Sequence, residues 1–129
     1  MFFSKLNSNL VTGRLGERFA AKEMEKIGMT LLQYNFAVHG LGEIDIIGRD
    51  GGCLVFVEVK TRRRWDKARP GAAVNKQKRK KIWKTAHSYM RQLGAGEFRF
   101  RFDVVEVYLI SRFRYKVIYL PGAFDRENL

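Results

Sequence analysis

Between Glu43 and Thr61, two runs rich in Ile, Val, Leu and Phe flank Arg49-Asp50-Gly51-Gly52, the pattern of a β-hairpin that carries acids. Asp-Gly and Gly-Gly supply the positive φ angles of a tight hairpin turn, so two antiparallel neighbouring strands are expected. Strand side chains alternate with period two. Leu54, Phe56, Glu58 and Lys60 therefore share one face of the second strand, and Cys53, Val55, Val57 and Val59 the other. With an even number of residues in the loop, Asp45 falls on the face of Glu58 and Lys60. Two carboxylates and an ammonium then converge.

Acids and lysines are rarely buried without partners, and a sheet otherwise built of Val, Ile, Leu and Phe is expected to be covered on both faces. Two readings follow. Lys60 pairs with Glu58 or Asp45 in a salt bridge at a sheet edge, or a divalent cation sits between acids that would otherwise repel. The hairpin alone leaves both open.

The chain of 129 residues, 46% hydrophobic and 13% aromatic, fits one folded domain over 1–129 with a core spanning about 11–124. Met1-Phe2-Phe3-Ser4-Lys5 lacks the apolar region of a signal peptide, and no apolar run approaches the ~18 residues of a membrane span. A cytoplasmic protein with no membrane partner is expected. Cys53 is the only cysteine, which excludes an intramolecular disulfide or a cysteine-based zinc site; inside a Val-rich strand it reads as a core residue. His39 and His87 are too few and too isolated for a zinc site.

The net charge of +12 is confined to one segment. From Lys60 to Arg91 the chain carries thirteen Lys or Arg and only Asp66 as an acid, while the remainder balances to zero. Such a block reads either as a footprint for a polyanion or as a solubilising face.

Thr12 to Gly28 is expected to form the first helix, with Thr12 as its N-cap and Gly28 as its stop. Phe19, Ala20, Met24 and Ile27 make one apolar arc; Arg18, Lys22 and Glu25 take the opposite side. Glu17 lies beside Met24 and turns toward the sheet, either as a third acid of the cluster or as a boundary residue paired with a nearby base. Gly13 and Gly16 allow close approach of this helix to the sheet or a ligand. Met29 to Val38 follows as a strand, with Leu31, Leu32, Tyr34 and Phe36 as packing candidates, and His39-Gly40-Leu41-Gly42 turns the chain into the hairpin.

Thr61 to Gly71 reads as a basic loop. Arg62, Arg63 and Arg64 suit phosphate contacts, and Trp65 either stacks on a base or packs on the core. Asn75 caps a second helix to about Leu93, stopped by Gly94 and Gly96. Its apolar stripe is Ile82, Trp83, Ala86, Tyr89, Met90 and Leu93, and Lys76, Gln77, Lys80, Lys84 and Arg91 form an outer face suited to phosphate. Two more strands follow, Phe98 to Tyr108 and Tyr115 to Leu120, joined through Ser111-Arg112. The order α-β-β-β-α-β-β implies an α/β or α+β domain with a mixed sheet.

Glu17 on a leading helix, Asp45 on a hairpin strand, Glu58-Val59-Lys60 on its partner and a following basic helix resemble the PD-(D/E)xK nuclease superfamily and its restriction-endonuclease-like fold. Gly13-Arg14-Leu15-Gly16-Glu17, Gly42-Glu43-Ile44-Asp45-Ile46-Ile47, Phe56-Val57-Glu58-Val59-Lys60-Thr61, Arg101-Phe102-Asp103-Val104-Val105 and Gly122-Ala123-Phe124 resemble the YraN-like family of small bacterial proteins, itself similar to archaeal Holliday junction resolvases. The likeness runs from about Val11 to Phe124.

What the resemblance implies can be placed on this chain. Asp45 and Glu58 match the acidic metal ligands, and the backbone carbonyl of Val59 adds an oxygen. Lys60 matches the lysine near the attacking water, and Glu17 the helix acid of the resolvases. Mg²⁺ or Mn²⁺ is the implied cofactor, consistent with the preference of such ions for oxygen ligands. Gln77 stands where many superfamily members carry a helix Gln, although the helical wheel turns it outward; Asp103 receives no catalytic role. The expected function is a divalent-metal-dependent endonuclease on DNA, branched DNA included. A homodimer is expected by analogy with resolvases, which cut symmetric junctions in pairs. The alternatives are a nucleic-acid-binding accessory protein that keeps the fold without cleavage, and an RNA- or ribosome-associated basic protein.

Overall fold

The computed structural model describes residues 9–63, 75–94, 96–111 and 113–125. Two helices, α1 (Asn9–Lys26) and α2 (Lys76–Leu93), cover opposite faces of a five-stranded sheet: β1 (Thr30–Val38), β2 (Gly42–Asp50), β3 (Cys53–Arg63), β4 (Arg99–Ser111) and β5 (Arg114–Phe124). The strands lie in the order β1-β2-β3-β4-β5. Only β3 and β4 run parallel; the other neighbours are antiparallel, so this is the mixed α/β sheet expected from the element order. A parallel pair cannot be joined by a tight turn, and α2 provides the crossover.

The hairpin forms as its residues dictate. Asp50 pairs with Cys53 across Gly51-Gly52, and Gly51 takes φ +59°. Alternation on β3 then sorts the core into two layers. Leu54 and Phe56 join Phe102, Ile82, Ala86, Tyr89 and Met90 on the α2 side. Val55, Val57 and Val59 join Ala20, Met24 and Val105 on the α1 side. Phe56 meets Phe102 at a ring separation of 5.6 Å and Tyr89 edge-on at 6.0 Å, within the range at which aromatic pairs add to plain burial.

Helix ends follow their local chemistry. Met29 N–H donates to Met24 C=O (3.1 Å) and Gly28 N–H to Glu25 C=O (3.0 Å), with Gly28 at φ +96°; this is the Schellman ending that a glycine permits. Asn75 Oδ1 accepts from Lys78 N–H at 2.8 Å and caps α2. The start of α1 differs from expectation: Thr12 lies inside a helix that begins at Asn9. Ile27, assigned to the apolar arc, is 59% exposed: it stands past the last residue of α1, at the end of the helix.

Other expectations are corrected too. Leu32 and Tyr34 are about half exposed, since β1 is an edge strand and its register shifts between Leu31 and Gln33. Leu93 is also exposed, at the final residue of α2 beside Gly94. Cys53 is only partly buried because it opens β3 at the hairpin turn. Thr61, Arg62 and Arg63 continue β3 rather than begin a loop, held by pairing to β4 as far as Arg63 opposite Leu109. Arg64 and Trp65 lie outside the described residues.

Gly16 and Gly13 divide. A Cβ at Gly16 would fall 1.8 Å from Thr61 Oγ1, so α1 crosses β3 in near-contact there; a Cβ at Gly13 would meet nothing within 4 Å. Only Gly16 serves close approach.

Candidate metal centre and nucleic-acid interface

The pairing of β2 with β3 runs from Ile46 opposite Val57 to Asp50 opposite Cys53 and goes no further. Beyond it, Gly42 to Ile44 pair with β1 alone, while Glu58 to Arg63 pair with β4 alone. The sheet therefore forks at Asp45 and Glu58. Backbone groups at a fork need substitute partners. Val59 N–H finds one in Asp45 Oδ2, at 2.8 Å.

Through this gap Asp45 touches both layers. On the α1 side its carboxyl group lies against Glu17, and on the α2 side against Glu58. Carboxylate oxygens of Glu17, Glu43 and Asp45 all lie within 4.8 Å of one another. Asn35, with its amide nitrogen turned to the acids, donates to Glu43 Oε1 (2.9 Å) and Glu17 Oε1 (3.0 Å). Asn35 has φ +52°, a left-handed conformation that Asn tolerates better than most side chains.

Burial, and after it the crowding of anions, shows in their proton affinities. Burial, followed by the Asp45 and Glu43 carboxylates, pushes Glu17 up to about 7. Burial and the Asp45 carboxylate push Glu58 up to about 7 as well, against the pull of Lys78. Glu58 is 4% exposed. Lys78 Nζ forms an ion pair with Glu58 Oε1, and Lys60 Nζ stands 4.0 Å from the same oxygen. Burial lowers the Lys60 ammonium, helped by the neighbouring Lys78. Burial alone would also lower Lys78, but Glu58, with Lys60 and Asp45, outweighs it and Lys78 is raised.

Sequence reasoning placed Glu17, Asp45, Glu58 and Lys60 together, and the fold does bring them together. It missed Glu43 and Lys78. Lys78 precedes the buried Ile82 by four residues and so lies on the inner flank of α2, a spacing visible in the sequence. Glu106 was missed as well. It sits between valines, as Glu58 does, is fully buried, and accepts from Arg62 Nε at 3.2 Å and Tyr108 Oη at 3.3 Å. Arg62, a candidate phosphate contact, is thus turned into an ion pair within the fold and its side chain is only 15% exposed. Arg63 ends β3, partly buried.

Lys76, Gln77, Lys80, Lys84 and Arg91 are all exposed on α2, as the helical wheel requires. Gln77 is nevertheless part of the site. It lines a cleft of about 430 Å³ whose walls include Asp45, Glu58, Asn75 and Lys81.

Asp103 has another function. It is fully buried on the α1 face and accepts from Arg101 Nε (3.1 Å), Gly122 N–H (2.9 Å) and Tyr119 Oη, tying β4 to β5. Arg101 continues to Asp50 at 3.0 Å. Asp103 is a structural anchor.

Residues 16–107 match the family described as "Uncharacterised protein family UPF0102". The chain belongs to the UPF0102 family. This is the YraN-like group that its motifs resemble. A UPF0102 protein of Alkaliphilus metalliredigens is 42% identical over 112 residues, covering 87% of this chain and 96% of that protein. One from Clostridium kluyveri is 45% identical over 95 residues, 74% of this chain and 77% of its own. One from Geobacter sulfurreducens is 36% identical over 117 residues, 91% of each. The matched span holds Glu17, Glu43, Asp45, Glu58, Lys60 and Lys78, the residues gathered at the fork. Among the described residues no helix is long and apolar enough to cross a membrane.

Proposed function

We propose that this UPF0102 protein is a divalent-metal-dependent endonuclease acting on DNA, with the fork at Asp45 as its active centre. One observation carries the reading: a single carboxylate, Asp45, is shared between acids from both layers of the fold, with two ammonium groups beside it and the cationic face of α2 alongside.

The donor set fits the implied cation. Glu17, Glu43, Asp45 and Glu58 offer only oxygen, which suits Mg²⁺ or Mn²⁺, and burial together with the neighbouring carboxylates raises the affinities of Glu17 and Glu58 for protons, a cost that a bound cation would relieve. A bound divalent ion would supply Lewis acidity toward a phosphodiester and an acidified water. The chain's own groups do the rest. The bond from Val59 holds Asp45 in place, and the buried sheet fixes Glu58. Lys60, beside Glu58, would meet charge developing on phosphorus oxygens. Lys76, Lys80 and Lys84 would lie along the backbone phosphates, giving binding that weakens steeply with salt. A symmetric four-way junction would take two copies, one per cut strand.

Lys78 favours a second reading, a binding protein without cleavage, because its ammonium already neutralises Glu58. Labelled linear, flapped and four-way-junction DNA incubated with Mg²⁺, Mn²⁺ or EDTA separates the two. Metal-dependent cleavage lost in Lys60→Ala supports the nuclease; salt-sensitive binding without cleavage in any metal supports the second reading.

A further inference from the structure

The cationic face of α2 lies on one side of the fork, yet a second basic surface flanks the other side. Arg14, Arg18 and Lys22 are all exposed on α1 at successive four-residue steps, each step rising about 6 Å along the axis. Opposite them stand Tyr34 and Asn35 of β1, and the groove between encloses about 540 Å³ with Glu17 in its wall. One end of the groove thus opens on the acidic cluster.

Tyr34 gives the groove its character. It pairs across the strands with Ile46, which is buried in the α1-side core, so its ring points to the same layer. Yet it remains 51% exposed, because β1 is the sheet's edge and α1 leaves its flank uncovered. An aromatic ring facing a row of cations is the arrangement that binds single-stranded nucleic acid: a base stacks on the ring while its phosphates meet the cations. A base inside a duplex is stacked and paired on its own neighbours and cannot lie on Tyr34. The occupant must therefore be unpaired. Glu25 lines the groove beyond Lys22 and disfavours phosphate there, which keeps the bound segment short.

We infer that the α1–β1 groove binds a short single-stranded DNA segment adjoining the fork, with Tyr34 as the stacking platform and Arg14, Arg18 and Lys22 as phosphate contacts. The inference rests on the DNA-processing reading and narrows it to DNA in which a duplex meets a single strand. Duplex then lies against α2 and the unpaired strand against α1, with Asp45 between.

The test compares a blunt DNA duplex with the same duplex carrying a single-stranded thymidine tail, at matched salt and in EDTA. The parent protein is expected to prefer the tailed duplex. Tyr34→Ala and Arg14→Ala/Lys22→Ala should each weaken tailed-duplex binding roughly tenfold while leaving blunt-duplex binding unchanged, and Tyr34→Phe should behave as the parent. Variants that bind tailed DNA as tightly as the parent, or that lose both duplexes equally while folded by circular dichroism, overturn the groove. A parent that binds neither duplex overturns the DNA reading beneath it; a parent that binds both with the groove variants silent overturns the groove alone.

Discussion

Asp45 Oδ2 accepts a hydrogen bond from the backbone N–H of Val59 at 2.8 Å, at the point where β2 and β3 cease to pair. A side chain thus takes the place of a sheet rung, and the same carboxylate faces Glu17 and Glu58. Its structural and chemical duties are separable by substitution.

Asp45→Asn keeps an acceptor oxygen for Val59 and removes one of several repelling charges. Its stability should stay within about 1 kcal/mol of the parent, whereas Asp45→Ala leaves a buried donor unmet and should lose about 1–3 kcal/mol. Denaturant midpoints at constant slope measure both. Equal losses in the two variants would show that the bond to Val59 contributes nothing.

Lys78 is expected to stand in for a cation on Glu58. In EDTA, Lys78→Met should lose about 1–2 kcal/mol, less than a fully buried pair would because its side chain is 38% exposed. Saturating Mn²⁺ should narrow the gap to the parent. A gap that Mn²⁺ leaves untouched argues against competition between ammonium and metal.

Gly16 and Gly13 should respond oppositely to alanine. Gly16→Ala drives a methyl into Thr61 and should cost about 1–3 kcal/mol; Gly13→Ala meets open space and should gain up to about 1 kcal/mol from helix propensity. Thermal unfolding of the pair decides, and a neutral Gly16→Ala contradicts the close crossing of α1 over β3.

Tyr119 supplies a pH signature away from the fork. Burial and its bond to Asp103, opposed by Arg101, push its hydroxyl up to about 12. The folded state therefore holds the proton more tightly than the unfolded chain, where tyrosine titrates near about 10. The resulting stability is present in full below about 10 and disappears as pH rises through about 12. Denaturation of the parent against Tyr119→Phe should show a difference that shrinks across this window; a constant difference rules the coupling out.

The sequence was most informative where period and turn chemistry act locally. Alternation along β3 sorted Phe56 and Glu58 from Val57 and Val59, and Gly28 and Asn75 marked helix ends that obey short-range rules. It was least informative where tertiary placement decides. Nothing local reveals that β1 lies at the edge, so Leu32 and Tyr34 read as core. Arg62 reads as a surface cation until β4 brings Glu106 against it. The fork itself is invisible along one strand: Ile44 packs on the α2 side, Ile46 on the α1 side and Ile47 on the α2 side again, a break in alternation at Asp45. Simple alternation joins Asp45 to Glu58, but the break is what lets it reach Glu17 and Glu43 as well.

The central claim is that Asp45 gathers these acids into a divalent-cation site, and calorimetric titration with Mn²⁺ addresses it most directly. The parent and Asp103→Asn, whose substitution lies in the β4–β5 anchor, should bind Mn²⁺ saturably, and Asp45→Asn should not. Absence of binding by the parent, or binding retained undiminished in folded Asp45→Asn, would contradict the account.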